Sequence, residues 1–212
     1  MDLFIARQPI FTRQQTVYAY ELLFRSGPAN VFPDIDVDHA SARVISDSLF
    51  NLGFQTLTGG RLAFINLTRH LLVRDLVTML PKDQVVIEVL ETVEPDSEVA
   101  AACAAAKKAG YRLALDDFVF RPEYEALLPY SDYIKIDFLV TKGEERTEVV
   151  RKFAARGIPF IFDPGQGLPM FDGEALRGFI DQATWVAVND YEASLLAERT
   201  GLSLEQIAAR VQ

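Results

Sequence analysis

The sequence predicts an α/β fold, a (β/α)8 TIM-like barrel with an irregular start. Two observations carry that expectation. Short β-branched or aromatic runs, apolar on both faces, alternate along the 212 residues with stripes of helical periodicity. The runs number eight, the count at which repeated βα units with right-handed crossovers close on themselves. An open doubly wound sheet is the alternative.

Phe4–Phe11 and Val17–Phe24 flank Thr12-Arg13-Gln14-Gln15, a link too short for a helix, so they read as a hairpin. The first strand is therefore antiparallel to its neighbour, and the other seven are parallel. Those that follow are Leu62–Leu67, Val85–Leu90, Arg112–Phe118, Tyr133–Asp137, Pro159–Asp163 and Trp185–Asn189. Between them come the helical stripes. Ile45, Leu49 and Leu52 precede Gly53; Leu72, Leu76 and Leu80 precede Pro81; Val99, Cys103 and Ala106 precede Gly110. Val149, Val150 and Phe153 precede Gly157, and Leu176, Phe179 and Ile180 are followed by Leu195 and Leu196. Gly or Pro closes the helices, by left-handed geometry or a missing N–H. Ser203 with Gln206 makes a capping box for a last helix, Leu204–Val211. No low-complexity linker or internal repeat interrupts the order, so 1–212 reads as a single α/β domain.

Composition narrows the function. Half the residues are hydrophobic, as in a globular chain, and the net charge of −9 excludes a duplex nucleic-acid binder that works by phosphate neutralisation. The one cysteine, Cys103, sits in an alanine-rich helical stripe and reads as a small buried residue, which fits a reducing compartment. The start, MDLFIARQPIF, lacks a basic segment followed by a long apolar one, and no run of membrane-spanning length occurs. A cytoplasmic protein without a membrane partner is expected.

In a βα fold, side chains at the C-terminal strand ends converge on one mouth. Here those positions carry Glu21, Asn66, Glu88, Asp116, Asp117, Lys135 and Asp137. Carboxylates with one amide suit hard divalent cations, Mg2+ or Mn2+, and a lysine offsets charge on a phosphoryl group. For any single position, capping of the following helix by a strand-end Asp or Asn is the better reading; the series as a whole is hard to explain that way.

Six stretches give the series a family. ARQPIF (6–11), YELLFRSG (20–27), FINLT (64–68), VIEVLET (86–92), GYRLALDDF (110–118) and DYIKID (132–137) resemble, in order and spacing, an EAL domain. That family comprises cyclic-di-GMP phosphodiesterases, and the match is to the type that carries an HDOD domain behind it. The resemblance covers 1–157. It implies metal ligation by Glu21, Asn66, Glu88, Asp116 and Asp117, and an active-site role for Lys135. The family's Asp-Asp-Phe-Gly-Thr-Gly loop reads DDFVFR here, with Val119 in place of a glycine. In the family such loop degeneration goes with loss of hydrolysis and a regulatory role.

Residues 158–212 instead resemble part of a PfkB, ribokinase-like carbohydrate kinase, with Asn189-Asp190-Tyr191-Glu192 matching an Asn-x-x-Glu motif whose Asn189 and Glu192 would organise Mg2+ and phosphate. The Gly-Ala-Gly-Asp anion hole of those kinases is missing, so kinase activity is not expected. The two resemblances together predict a chimera joined near 150–160, engineered rather than natural, with no native catalytic function, no required cofactor and a vestigial acidic mouth that Asp137 and Asp163 would extend. The alternative is a degenerate cyclic-di-GMP phosphodiesterase, or a module that binds a cyclic dinucleotide or a metal without hydrolysis. A barrel that failed to close would leave a sheet edge through which the chain could form a homodimer.

Overall fold

A computed structural model of the chain describes residues 4–12, 14, 16–25, 53–74, 76–116, 122–137, 153 and 157–211. Eight strands form one closed barrel in sequence order: β1 (Phe4–Phe11), β2 (Val17–Arg25), β3 (Leu62–Leu67), β4 (Val85–Val89), β5 (Arg112–Leu115), β6 (Tyr133–Asp137), β7 (Phe160–Asp163) and β8 (Trp185–Ala187). β1 is antiparallel to both neighbours, and every other pairing is parallel. The seam lies where Ile10 pairs with Ala187 and Phe11 with Val186. Closure rules out the open sheet, and with it the unpaired edge that dimerisation of an open barrel would have needed.

The helices whose bounds fall among the described residues are α1 (Phe54–Thr58), α2 (Arg69–Val73), α3 (Ser97–Ala109), α4 (Gly173–Ile180), α5 (Asp190–Thr200) and α6 (Leu204–Arg210). Short 3-10 turns occupy Leu76–Met79, Pro122–Ala126, Leu128–Tyr130 and Gly165–Met170. Local chemistry sets their ends. The Asp96 carboxylate accepts from the backbone N–H groups of Glu98 and Val99 at the start of α3, and Gly110 at φ 95° ends it. Two expectations need correction. The stripe Leu72–Leu80 is not one helix, because α2 stops at Val73 and a 3-10 turn follows. α4 ends at Asp181 with neither Gly nor Pro, and Gly53 caps the start of α1. The helix expected around Ile45, Leu49 and Leu52 lies outside the described residues, as do Val149 and Val150; Phe153 is helical and buried.

The core has two compartments. Outside the barrel, Leu22, Ile65, Ile87, Leu113, Ile134 and Phe162 pack against helix faces that include Val99, Cys103, Leu176, Ile180 and Leu196. Inside it, one residue from each strand forms a plug: Ile10, Ala19, Phe64, Val86, Ala114, Tyr133, Ile161 and Ala187. Tyr18, Leu62 and Trp185 pack against this plug at the end away from the mouth. There the Tyr18 and Tyr133 hydroxyls lie 2.6 Å apart, and Trp185 stacks on Tyr18 at 4.9 Å. Because strand side chains alternate faces, the plug fixes which residues line the mouth. No helix among the described residues is long and apolar enough to cross a membrane.

Candidate metal centre

Two residues along each strand from the plug, towards the mouth, stand Gln8, Glu21, Asn66, Glu88, Asp116, Lys135, Asp163 and Asn189. Every one is polar. In β1 the count runs backwards, because that strand enters the barrel antiparallel. The interior is therefore an apolar plug capped by one polar layer.

Five members of this layer interlock. Lys135 lies at its centre, with its Nζ 2.9 Å from Glu21 Oε2, 3.2 Å from Glu88 Oε1 and 2.8 Å from Asp116 Oδ1. Asn66 Nδ2 donates to the other Glu21 oxygen at 3.0 Å. One oxygen each of Glu21, Glu88 and Asp116 lie within 4.8 Å of one another. The four charged members are sealed from solvent: Glu88 is 0% exposed, Lys135 4%, Glu21 5% and Asp116 8%.

The electrostatics follow from that burial. Loss of hydration pushes the Glu88 carboxyl well above the usual carboxylate range, opposed by Lys135 and reinforced by Glu21 and Asp116. Burial works to lower the Lys135 pKa, yet Glu88, Glu21, Asp116 and Asp163 outweigh it and hold the ammonium charged. Asp163, at the end of β7, takes a hydrogen bond on Oδ2 from Gln8 Nε2 at 3.1 Å and one on Oδ1 from the Gly165 N–H at 3.1 Å. Burial raises its pKa to about 7; Lys135 opposes the shift, and Glu21, Glu192 and Asp116 add to it.

The donor set fits a hard divalent cation. Glu88 Oε2 and Asn66 Oδ1 are buried with no hydrogen-bond donor, and Glu88 Oε1 meets only the Lys135 ammonium, at 3.2 Å. Such acceptors are costly in a protein interior unless a cation meets them. Oxygen ligands from carboxylates and one amide suit Mg2+ or Mn2+.

Of the residues expected at the mouth, the structure brings together Glu21, Asn66, Glu88, Asp116 and Lys135, with Asp163 beside them. Asp117 and Val119 lie outside the described residues. Asp137 pairs with Asp163 in the β6–β7 register, and its side chain lies outside the described set. Asn189 and Glu192 do not reach the centre. The Asn189 side chain accepts from the Glu192 N–H, and the Glu192 carboxylate from the Asn189 N–H, each at 2.9 Å, which is the capping box of α5. Gln8 was not anticipated. Its signal was the two-residue step from Ile10, read in reverse.

No family model matches the chain. Sequence relatives are nevertheless clear. The chain is 40% identical over 166 residues to the uncharacterized protein YuxH of Bacillus subtilis, covering 76% of this chain and 41% of that protein. It is 39% identical over 155 residues to the cyclic di-GMP phosphodiesterase CdgJ of Vibrio cholerae, covering 73% of this chain and 36% of that protein. The match thus spans well under half the length of either relative. Among solved structures, the EAL enzyme Bd1971 bound to cAMP and cyclic-di-GMP aligns with 99% of this chain and 65% of its own, at a TM-score of 0.60 and 16% identity. Klebsiella pneumoniae BlrP1 with manganese and cyclic-di-GMP aligns with 97% of this chain and 55% of its own, at 0.60 and 22%.

These findings overturn the expectation of an engineered chimera without catalytic function. EAL-type structures overlay nearly the whole chain, residues 158–212 included, and nothing in the comparisons supports a kinase-derived segment. The Asn-x-x-Glu motif that suggested a kinase is accounted for by a helix cap. The chain is similar in sequence to a cyclic di-GMP phosphodiesterase over about three quarters of its length, and its closed barrel is the fold of EAL-domain proteins.

Proposed function

We propose that residues 1–212 work as one barrel that binds a divalent cation, Mg2+ or Mn2+, and cleaves a phosphodiester bond of cyclic-di-GMP. The observation that carries this reading is Glu88, fully buried at the mouth beside Glu21 and Asp116, with one oxygen that no donor meets and the other held only by the Lys135 ammonium. The similarity to CdgJ supports the substrate. A bound cation would supply Lewis-acid polarisation of the phosphoryl oxygens and activation of water. Glu21, Asn66, Glu88 and Asp116 would hold it. Lys135 would offset negative charge gathering on the phosphoryl group. Gln8 and the Gly165 N–H fix the Asp163 carboxylate at the rim. A cytoplasmic setting accords with this reading and with Cys103, whose buried thiol is pushed up to about 11 and is unreactive.

The test is release of linear dinucleotide from cyclic-di-GMP by the purified chain with Mn2+. Release is expected, with loss in EDTA and in Glu88→Gln. The same substitution should remove the thermal stabilisation that Mn2+ gives, about 2.7 kcal/mol at a hundred times its Kd. The sequence DDFVFR at 116–121 favours one second reading, a module that binds the dinucleotide without cutting it. Tight cyclic-di-GMP binding without turnover would assign the chain to that class, and neither binding nor turnover would remove both readings.

A further inference from the structure

We propose that the Lys135 ammonium holds the place of a divalent cation among Glu21, Glu88 and Asp116, and that a cation enters only as Lys135 withdraws to Asp163. This inference rests on the reading of the mouth as a divalent-cation centre.

The oxygens that Lys135 meets come from the same three carboxylates that can converge on an ion. Its Nζ lies 2.8 to 3.2 Å from one oxygen of each, and those carboxylates offer ligand atoms within 4.8 Å of one another. A hard cation takes oxygens at about 2.0–2.6 Å. An ion and an ammonium cannot both sit at that centre, because they would compete for the same lone pairs and repel each other at contact distance. Lys135 is thus more than a neighbour of the site: it is an internal competitor, one charge tethered where two would bind.

A competitor that must leave needs somewhere to go, and the barrel register provides it. Lys135 is paired across β6–β7 with Ile161, so Asp163 stands two residues nearer the rim on the adjacent strand and on the same face. The Gln8 amide and the Gly165 N–H pin the Asp163 carboxylate. The attraction between Lys135 and Asp163 is already among the influences on both groups. Lysine carries its charge on a flexible four-carbon stem, so rotation of that stem can transfer the ammonium between acceptors without moving the strand. In the outer position Lys135 would face the rim, where a phosphate ester arrives. Cation loading would then also set the lysine for substrate.

The test is Mn2+ affinity by titration calorimetry on the EDTA-stripped chain, in a double-mutant cycle. Lys135→Met should bind Mn2+ about tenfold more tightly or better, since one competing charge is gone. Asp163→Asn should weaken binding in the wild-type background, because the lysine loses its outer partner. It should change nothing in the Lys135→Met background. If Lys135→Met binds no more tightly than wild type, the proposal fails while the cation centre stands. Equal weakening by Asp163→Asn in both backgrounds would make Asp163 a ligand and also overturn it. Absence of Mn2+ binding in every variant would remove the centre itself. Should Lys135→Met fail to fold, 15N spectra of the lysine side chains in the wild-type chain decide. The Lys135 Nζ resonance should move on saturation with Mg2+, and a resonance unmoved while Mg2+ binds would overturn the proposal.

Discussion

Asp163 carries a pH signature that can be read without any cation. Its folded-state pKa of about 7 lies above the ordinary 3.8, so the fold favours the protonated carboxyl. That contribution to stability is complete below about pH 4 and is lost as pH rises through 7. Asn imitates the protonated acid. In EDTA, Asp163→Asn should match wild type near pH 4 and exceed it near pH 8 by about 2 kcal/mol, after allowance for partial exposure. Urea melts at the two pH values measure this, and an equal difference at both would show that the carboxyl is not perturbed. At this scale much of the mouth could be read directly from the chain. Glu21, Asn66, Glu88, Asp116 and Lys135 each lie two residues beyond an apolar plug residue. Gln8 escaped because β1 runs antiparallel, so its mouth residue precedes Ile10 instead of following it. The unsatisfied Oε2 of Glu88 was invisible, because satisfaction depends on where five separate strands meet.

Between elements, two glycines of α4 should behave oppositely. A Cβ on Gly173 would lie 2.0 Å from the backbone oxygen of Arg199, where the start of α4 meets the end of α5. Gly173→Ala should therefore cost about 1–3 kcal/mol, because backbone must shift. At Gly178 a Cβ meets nothing, and Gly178→Ala should stabilise by about 0.5–1 kcal/mol through helix propensity. Denaturant midpoints of the two variants, one lower and one higher than wild type, check the packing of α4 on α5. The α5 cap gives a second measurement. Asn189→Ala should cost about 1 kcal/mol and leave Mn2+ affinity unchanged. A loss of Mn2+ affinity would bring Asn189 into the cation centre. The strands and α3 were plain in the sequence, since β-branched runs and an Asp–Gly pair of helix ends are local signals. The break after α2 was not: Val73, Val77 and Thr78 weaken the helix, yet Val77 and Leu80 are buried either way, so the apolar stripe concealed it.

For the whole molecule the count of eight strands was the decisive clue, and the last quarter was the misleading one. A strand-end acid, a turn and an Asn-x-x-Glu start to the next helix describe a capped βα unit in any fold of this class. At 158–212 that shared grammar was mistaken for the signature of a kinase. Which fold a βα unit serves is decided by its neighbours, here by pairing of β8 with β1. That seam is short, Ile10 with Ala187 and Phe11 with Val186, while β1 and β2 pair along their whole length. It is also where the single tryptophan stands, Trp185, stacked on Tyr18 and 5.5 Å from Tyr133. A short seam invites early opening. Against that, the plug takes one residue from each of the eight strands, so parting β8 from β1 would expose the whole interior and the polar layer above it. Burial shared by every strand makes separate opening of one pair costly. Trp185 fluorescence and far-UV circular dichroism should therefore report one urea transition with the same midpoint. A tryptophan transition that runs ahead of the loss of secondary structure would show that the seam opens on its own, and that the barrel is closed by β8 without being held by it.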